Sequence, residues 1–194
     1  MSQTIASPPS AVPLRVLLVE DVDLDAELVL RELRKGGFNP AWERVANAYS
    51  MRAALKDWSW DLIISDHCLP QFSSLGALEL LRELDLDLPL VVVSGVAPEA
   101  IVTELMRAGA RDFISKDALS RLAPAVRREL EESKVRQERL SVARRLAESE
   151  ERYISLFQEN PTPMLLVEAA TLMVVDANPA AAAFLGHSIE ALEQ

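Results

Sequence analysis

Five residues have the types and the setting to act together: Glu20, Asp21, Asp66, Ser94 and Lys116. Each stands at the end of an apolar run or just after it, in "LRVLLVED" (14–21), "DLIISDHCLP" (61–70), "LPLVVVSG" (88–95) and "RDFISK" (111–116). Taken alone, a strand-end aspartate such as Asp66 ordinarily caps a turn. Three carboxylates drawn to one place, however, repel one another until some take up protons or a cation neutralises them. With no His or Cys side chain among the candidates, the natural cation is Mg²⁺, which prefers oxygen ligands and is held by one or two carboxylates plus a phosphate oxygen. A lysine and a hydroxyl at neighbouring strand ends can then contact the remaining oxygens of a phosphoryl group. That would let Asp66 act as a nucleophile toward phosphorus and become an aspartyl phosphate.

The elements that must position these groups are strands and helices in alternation. The runs 14–20, 61–65 and 88–95 are almost wholly apolar, and 40–45 and 111–115 are weaker strand candidates. Strands apolar on both faces need cover on both, which implies a parallel sheet. Helical patterns lie between them at 25–37, 47–57, 73–84 and 97–109, with Asn47 and Ser73 as starts and Gly37 and Gly109 as ends. The expected fold is α/β: a flavodoxin-like, doubly wound sheet of five parallel strands, with functional groups gathered at the carboxyl ends.

After Lys116 the character changes. Residues 122–157 form one long helix, near 50 Å at 1.5 Å per residue, with Pro124 suited to its first turn. Its apolar positions follow heptad spacing only in part, so a parallel coiled-coil homodimer is the expectation and a solvated single linker the alternative. Residues 158–194 offer two short strands and an Ala-rich helix, an incomplete α+β piece, since two strands cannot bury a sheet face.

Bulk composition narrows the function. Acids outnumber bases 18 to 11 over residues 1–118 and 4 to 0 over 161–194, within a net charge of −10. The base-rich stretch 121–145 interleaves Arg with Glu, which argues against nucleic-acid binding. The single cysteine, Cys68, fits a reducing cytoplasm. Residues 1–12 read as a floppy Ser/Pro arm, and no run approaches the roughly 20 apolar residues that span a bilayer.

The segments "VLLVED", "DLIISDHCLP", "VVVSG" and "GARDFISKD" resemble the receiver domains of two-component response regulators over about residues 13–121. The resemblance implies that Asp66 is phosphorylated, that Asp21 and Asp66 ligate Mg²⁺, that Glu20 acts through water, and that the backbone carbonyl of Cys68 supplies a further ligand. It makes Ser94 and Lys116 the groups that meet the phosphoryl oxygens. Phe113 falls at the family's aromatic switch, turning inward as Ser94 moves, though a plain core residue fits the sequence equally. The implied phosphate source is a histidine kinase or a small phosphodonor. Two departures stand out: Asp117 follows the lysine where the family has Pro, and Ser74 stands eight past the acceptor where the family has Gly. His67 is expected as an exposed loop side chain. Cys68 and Val96 are poorly suited to orient water, which predicts slow self-dephosphorylation.

The segment "ESEERYISLFQENPTPMLLVE…VVDANPAAAAFLGHSIEAL" is similar to the opening of a PAS sensory domain. The expected whole is a phosphorylation-controlled regulator rather than an enzyme, the sequence being either a truncated piece or the front end of a longer signalling protein whose output is a kinase or a cyclic-dinucleotide enzyme. It would dimerise through the long helix and the fourth-helix/fifth-strand face. The rival reading is a constitutive dimerisation scaffold with a vestigial site. A phosphatase of the aspartyl-phosphate kind would need a second acid where Cys68 stands.

Overall fold

A computed structural model describes residues 11–57, 59–70, 72–95 and 97–192. Residues 1–10, most of the expected arm, and Val96 lie outside them. The first unit spans residues 1–135 and the second 136–194.

In the first unit, five strands alternate with helices: β1 (Val12–Val19), α1 (Asp23–Lys35), β2 (Phe38–Val45), α2 (Ala48–Asp57), β3 (Leu62–Ser65), α3 (Ser74–Glu83), β4 (Leu90–Ser94), α4 (Glu99–Ala108) and β5 (Asp112–Ser115). The sheet order is β2-β1-β3-β4-β5, and every pairing is parallel. This is the doubly wound sheet expected from the apolar runs. Strand periodicity divides β1 between the two faces. Leu14, Val16 and Leu18 pack with Leu30, Leu33 and Val126 on one side, while Leu17 and Val19 pack with Met51, Leu80 and Leu105 on the other.

β2 starts two residues earlier than its sequence pattern suggested. As the edge strand it tolerates Pro40, which lacks an N–H, in a position where a central strand would not. After β5 the chain turns through a 3₁₀ helix, Lys116–Arg121, capped by the Ser115 hydroxyl, which accepts from the Asp117 N–H at 3.3 Å. Asp117, which stands where the resemblance would put a proline, donates its N–H in this turn.

α5 (Leu122–Tyr153) buries Leu122, Ala123, Ala125 and Val126 against the sheet and α1. Gly36 at the end of α1 permits that approach. A Cβ there would sit 2.1 Å from the Ala123 Cβ. Arg127 adds a hydrogen bond to the Gly36 carbonyl at 2.9 Å and lies over the Phe38 ring.

In the second unit, α5 ends and the chain continues in a π-helical turn, Ile154–Gln158, in which Tyr153 stacks on Phe157 at 5.2 Å between centroids. The helix proper therefore stops four residues short of the expected position 157. Beyond it lie the antiparallel pair β6 (Leu165–Val167) and β7 (Val174–Ala177), then α6 (Pro179–Leu185) and α7 (Ile189–Leu192). Asn178 is buried and ties this unit together: its side-chain amide donates to the carbonyls of Phe157, Asn160 and Thr162. Among the described residues no helix is long and apolar enough to cross a membrane.

Candidate functional site: a carboxylate mouth around Lys116

Backbone pairing brings the ends of β1 and β3 together. Val19 pairs with Ser65, the Asp66 N–H donates to the Val19 carbonyl at 2.9 Å, and the Glu20 N–H donates to the Val45 carbonyl at 3.0 Å. Glu20 and Asp66 thus leave adjacent parallel strands on the same rim. β5 reaches the rim one strand beyond β4, with Ser94 paired to Ser115, so Lys116 arrives at the mouth as the chain leaves the sheet.

The Lys116 ammonium donates to Asp66 Oδ2 at 2.7 Å, to Glu20 Oε2 at 3.5 Å, and to Asp25. Desolvation pulls this ammonium's pKa down, but the hydrogen bonds to Asp25 and Asp66 and the charges of Asp66 and Glu20 outweigh it and hold the pKa above the ordinary lysine value. Glu20 is only 6% exposed, and that burial raises its carboxyl above the usual range, against the Val22 N–H and the Lys116 charge, which pull it down. The Val22 N–H donates to Glu20 Oε1 at 3.0 Å.

Asp66 is held at each oxygen: Oδ2 by Lys116, and Oδ1 by the Cys68 N–H at 3.1 Å. Its main-chain carbonyl accepts from the hydroxyls of Ser65 and Ser74, both at 2.9 Å. A charged carboxylate fixed by a donor on each oxygen has one orientation toward the mouth.

Not every candidate joins this cluster. Ser94 is buried at the end of β4, its hydroxyl 3.9 Å from the Cys68 sulfur. Phe113 is half-buried and packs against the α2–α3–α4 side of the core. Asp21 is exposed and stands outside the group of carboxylates that come within 4.8 Å of one another, which is Glu20, Asp25 and Asp66. Cys68 is exposed. His67 departs from the expected exposed position: it is half-buried, and its Nδ1 is shut from solvent with no hydrogen-bond partner. Two residues on, Leu69 is buried in the core cluster on the α2–α3–α4 side of the sheet.

Asp25 is the residue that sequence reasoning passed over. It reads as one of the acids that commonly open a helix, and α1 does carry Asp23 and Asp25 in its first turn. The only signal was its separation of four from Asp21, about one helical turn past the strand end.

Residues 16–127 match the family described as the response regulator receiver domain. The chain belongs to the response regulator receiver family. Residues 151–194 match the PAS domain family. The receiver is 28% identical over 102 residues to the chemotaxis protein CheY of Bacillus subtilis, covering 53% of this chain and 84% of that protein. The chain is 31% identical over 142 residues to the C4-dicarboxylate transport transcriptional regulatory protein DctD of Pseudomonas aeruginosa, covering 71% of this chain but only 29% of that protein. In fold it is similar to the receiver domain of the sensor histidine kinase PA1611 of Pseudomonas aeruginosa, a structure with a magnesium ion coordinated in its active-site cleft. That likeness has a TM-score of 0.51 and 20% identity, covering 61% of this chain and 98% of the other.

Proposed function

We propose that this receiver accepts a phosphoryl group on Asp66 in a Mg²⁺-dependent reaction and passes the change to its C-terminal region through α5. The observation that supports this most directly is the Lys116 ammonium 2.7 Å from Asp66 Oδ2, with Glu20 beside it. A nucleophilic carboxylate, a neutralising cation and a buried hydroxyl at the next strand end make up the minimum needed for phosphoryl transfer between oxygens.

The donor set fits a hard divalent ion. The oxygens of Glu20, Asp25 and Asp66 fall within 4.8 Å of one another, and no His or Cys side chain joins them. The receiver resemblance assigns the ion to Asp21, Asp66 and the Cys68 carbonyl, with Glu20 acting through water; of these, Asp66 and Glu20 lie in the group within 4.8 Å, and Asp21, exposed, stands beside it. When bound, such an ion neutralises charge building on the phosphoryl oxygens. One Asp66 oxygen attacks phosphorus in line with the bond to the leaving group of a phosphohistidine or small phosphodonor. That bond breaks, its electron pair leaves with the donor, and the O–P bond to Asp66 forms. Lys116 and the Ser94 hydroxyl donate to the phosphoryl oxygens, so neither needs to give up a proton. Phe113 turns inward as Ser94 moves toward the phosphate, biasing the packing of α4 and β5. The Cys68 thiol beside Ser94 orients water poorly, so the aspartyl phosphate decays slowly.

The second copy docks along α5. Val135, Val142 and Ser149 recur every seven residues along α5, with Arg139, Leu146 and Tyr153 on the adjoining row. Val142 and Leu146 are 63% and 60% exposed. In a parallel, in-register pair Arg145 faces Glu150 of the other copy, an opposite-charge contact across the seam.

The test is a titration with Mg²⁺ and beryllofluoride, a mimic of the phosphoryl group, against the wild type and Asp66→Asn. Saturable binding lost in the variant is expected. Absence of binding in the wild type would leave a scaffold, and turnover of a phosphoester would indicate an enzyme.

A further inference from the structure

Three carboxylates share a single ammonium at the mouth, so Glu20, Asp25, Asp66 and Lys116 together keep two uncompensated negative charges. Two of the carboxylates come from strand ends. The third, Asp25, comes from the first turn of α1, where the helix N-terminus favours an anion, and its side chain is 29% exposed. One turn of helix carries it across the rim to meet a lysine 91 residues later in the chain.

We propose that Asp25 belongs to the divalent-cation site, as a third side-chain carboxylate that binds the ion directly or through one of its waters. The proposal rests on the Mg²⁺ reading above and deepens it. An octahedral Mg²⁺ sits about 2.1 Å from its oxygens, so ligands on opposite sides are about 4.2 Å apart, and waters fill the positions that protein does not reach. Oxygens of Glu20, Asp25 and Asp66 that all lie within 4.8 Å of one another match one such ion with part of its water shell retained. Asp21, though next in sequence to Glu20, is outside that group.

Asp23 provides an internal contrast. It lies two residues away in the same helical turn, but its side chain is 82% exposed and pairs with Arg44 at 2.7 Å. Replacing either aspartate with asparagine removes the same formal charge. Only Asp25 faces the mouth.

Mg²⁺ binding to the full chain is measured by isothermal titration calorimetry for wild type, Asp25→Asn, Asp25→Glu, Asp23→Asn, Asp66→Asn, Lys116→Gln and the Asp25→Asn/Lys116→Gln pair. A partly exposed carboxylate close to a divalent ion is expected to change affinity by about tenfold. Asp25→Asn should therefore weaken binding about tenfold, Asp25→Glu less, and Asp23→Asn by under about twofold, its charge being solvent-screened. The loss must persist in the Lys116→Gln background. Its disappearance there would show that Asp25 acts only by tethering the lysine and would overturn the proposal. An unchanged affinity in Asp25→Asn, or an equal loss in Asp23→Asn, would also overturn it. If wild type binds and Asp66→Asn does not, the Mg²⁺ reading stands whatever Asp25 does. If wild type fails to bind, that reading falls and this proposal with it.

Discussion

The Ser74 hydroxyl donates to the main-chain carbonyl of Asp66 at 2.9 Å, tying the first turn of α3 to the residue that leaves β3. Ser74 is fully buried and lies 3.1 Å from the Ser65 hydroxyl, which reaches the same carbonyl. A glycine at position 74 would supply no such bond. Ser74→Ala is expected to cost about 1 kcal/mol of stability, the usual net worth of a buried hydrogen bond, read from urea unfolding. Because Ser65 keeps its bond to Asp66, beryllofluoride binding should survive.

Gly36 and Ala123 are in near contact where α1 ends and α5 begins. With a hypothetical Gly36 Cβ 2.1 Å from the Ala123 Cβ, Gly36→Ala must push the two helices apart. The expected cost is about 1 to 3 kcal/mol, as for overpacked cores, measured by chemical denaturation. Adding Ala123→Gly should restore most of the loss. Failure of that second change to help would show that the clash is relieved elsewhere.

Glu20 carries a stability penalty that can be removed. Its carboxyl is raised by burial, so the folded chain binds this proton more readily than the unfolded chain. Such a group contributes stability below the ordinary glutamate pKa and loses it as pH rises through the raised value. At neutral pH, Glu20→Gln should therefore melt about 2 °C higher than wild type, since the amide oxygen can still accept from the Val22 N–H. The advantage should shrink toward pH 4. Mg²⁺ affinity should fall in the same variant, setting stability against function.

The seam on α5 is open to direct disruption. Val142→Glu with Leu146→Glu places four like charges in a paired helix, two from each copy, and leaves the buried part of α5, up to Ser133, untouched. Sedimentation velocity should show wild type as a dimer and the variant as a monomer, with beryllofluoride binding unchanged. Dimers that persist in the variant would point to another surface.

Much of the fold was legible because burial on both faces forces an unbroken apolar composition. β3 and β4 are buried at every position, and their ends announced Asp66 and Ser94. β2 was less legible: as an edge strand it mixes exposed and buried positions and tolerates Pro40, so its first two residues looked like loop. The π-helical turn after Tyr153 was also hidden, since an aromatic at 153 and another at 157 suit an ordinary helix as well as a stacked pair.

The linear chain by itself determined the α/β class, the strand order of the chemical groups and the identity of the acceptor candidate, because hydrophobic period and strand-end position are local properties of adjacent residues. It could not determine which acids meet. Glu20 and Asp21 are neighbours in sequence, yet Glu20 is buried at the mouth while Asp21 is exposed and outside the group of carboxylates within 4.8 Å of one another. Asp25 resembled a helix-opening acid. Only the packing of α1 against the sheet, with Lys116 arriving from the far end of the domain, decided that it faces the same cation as Asp66.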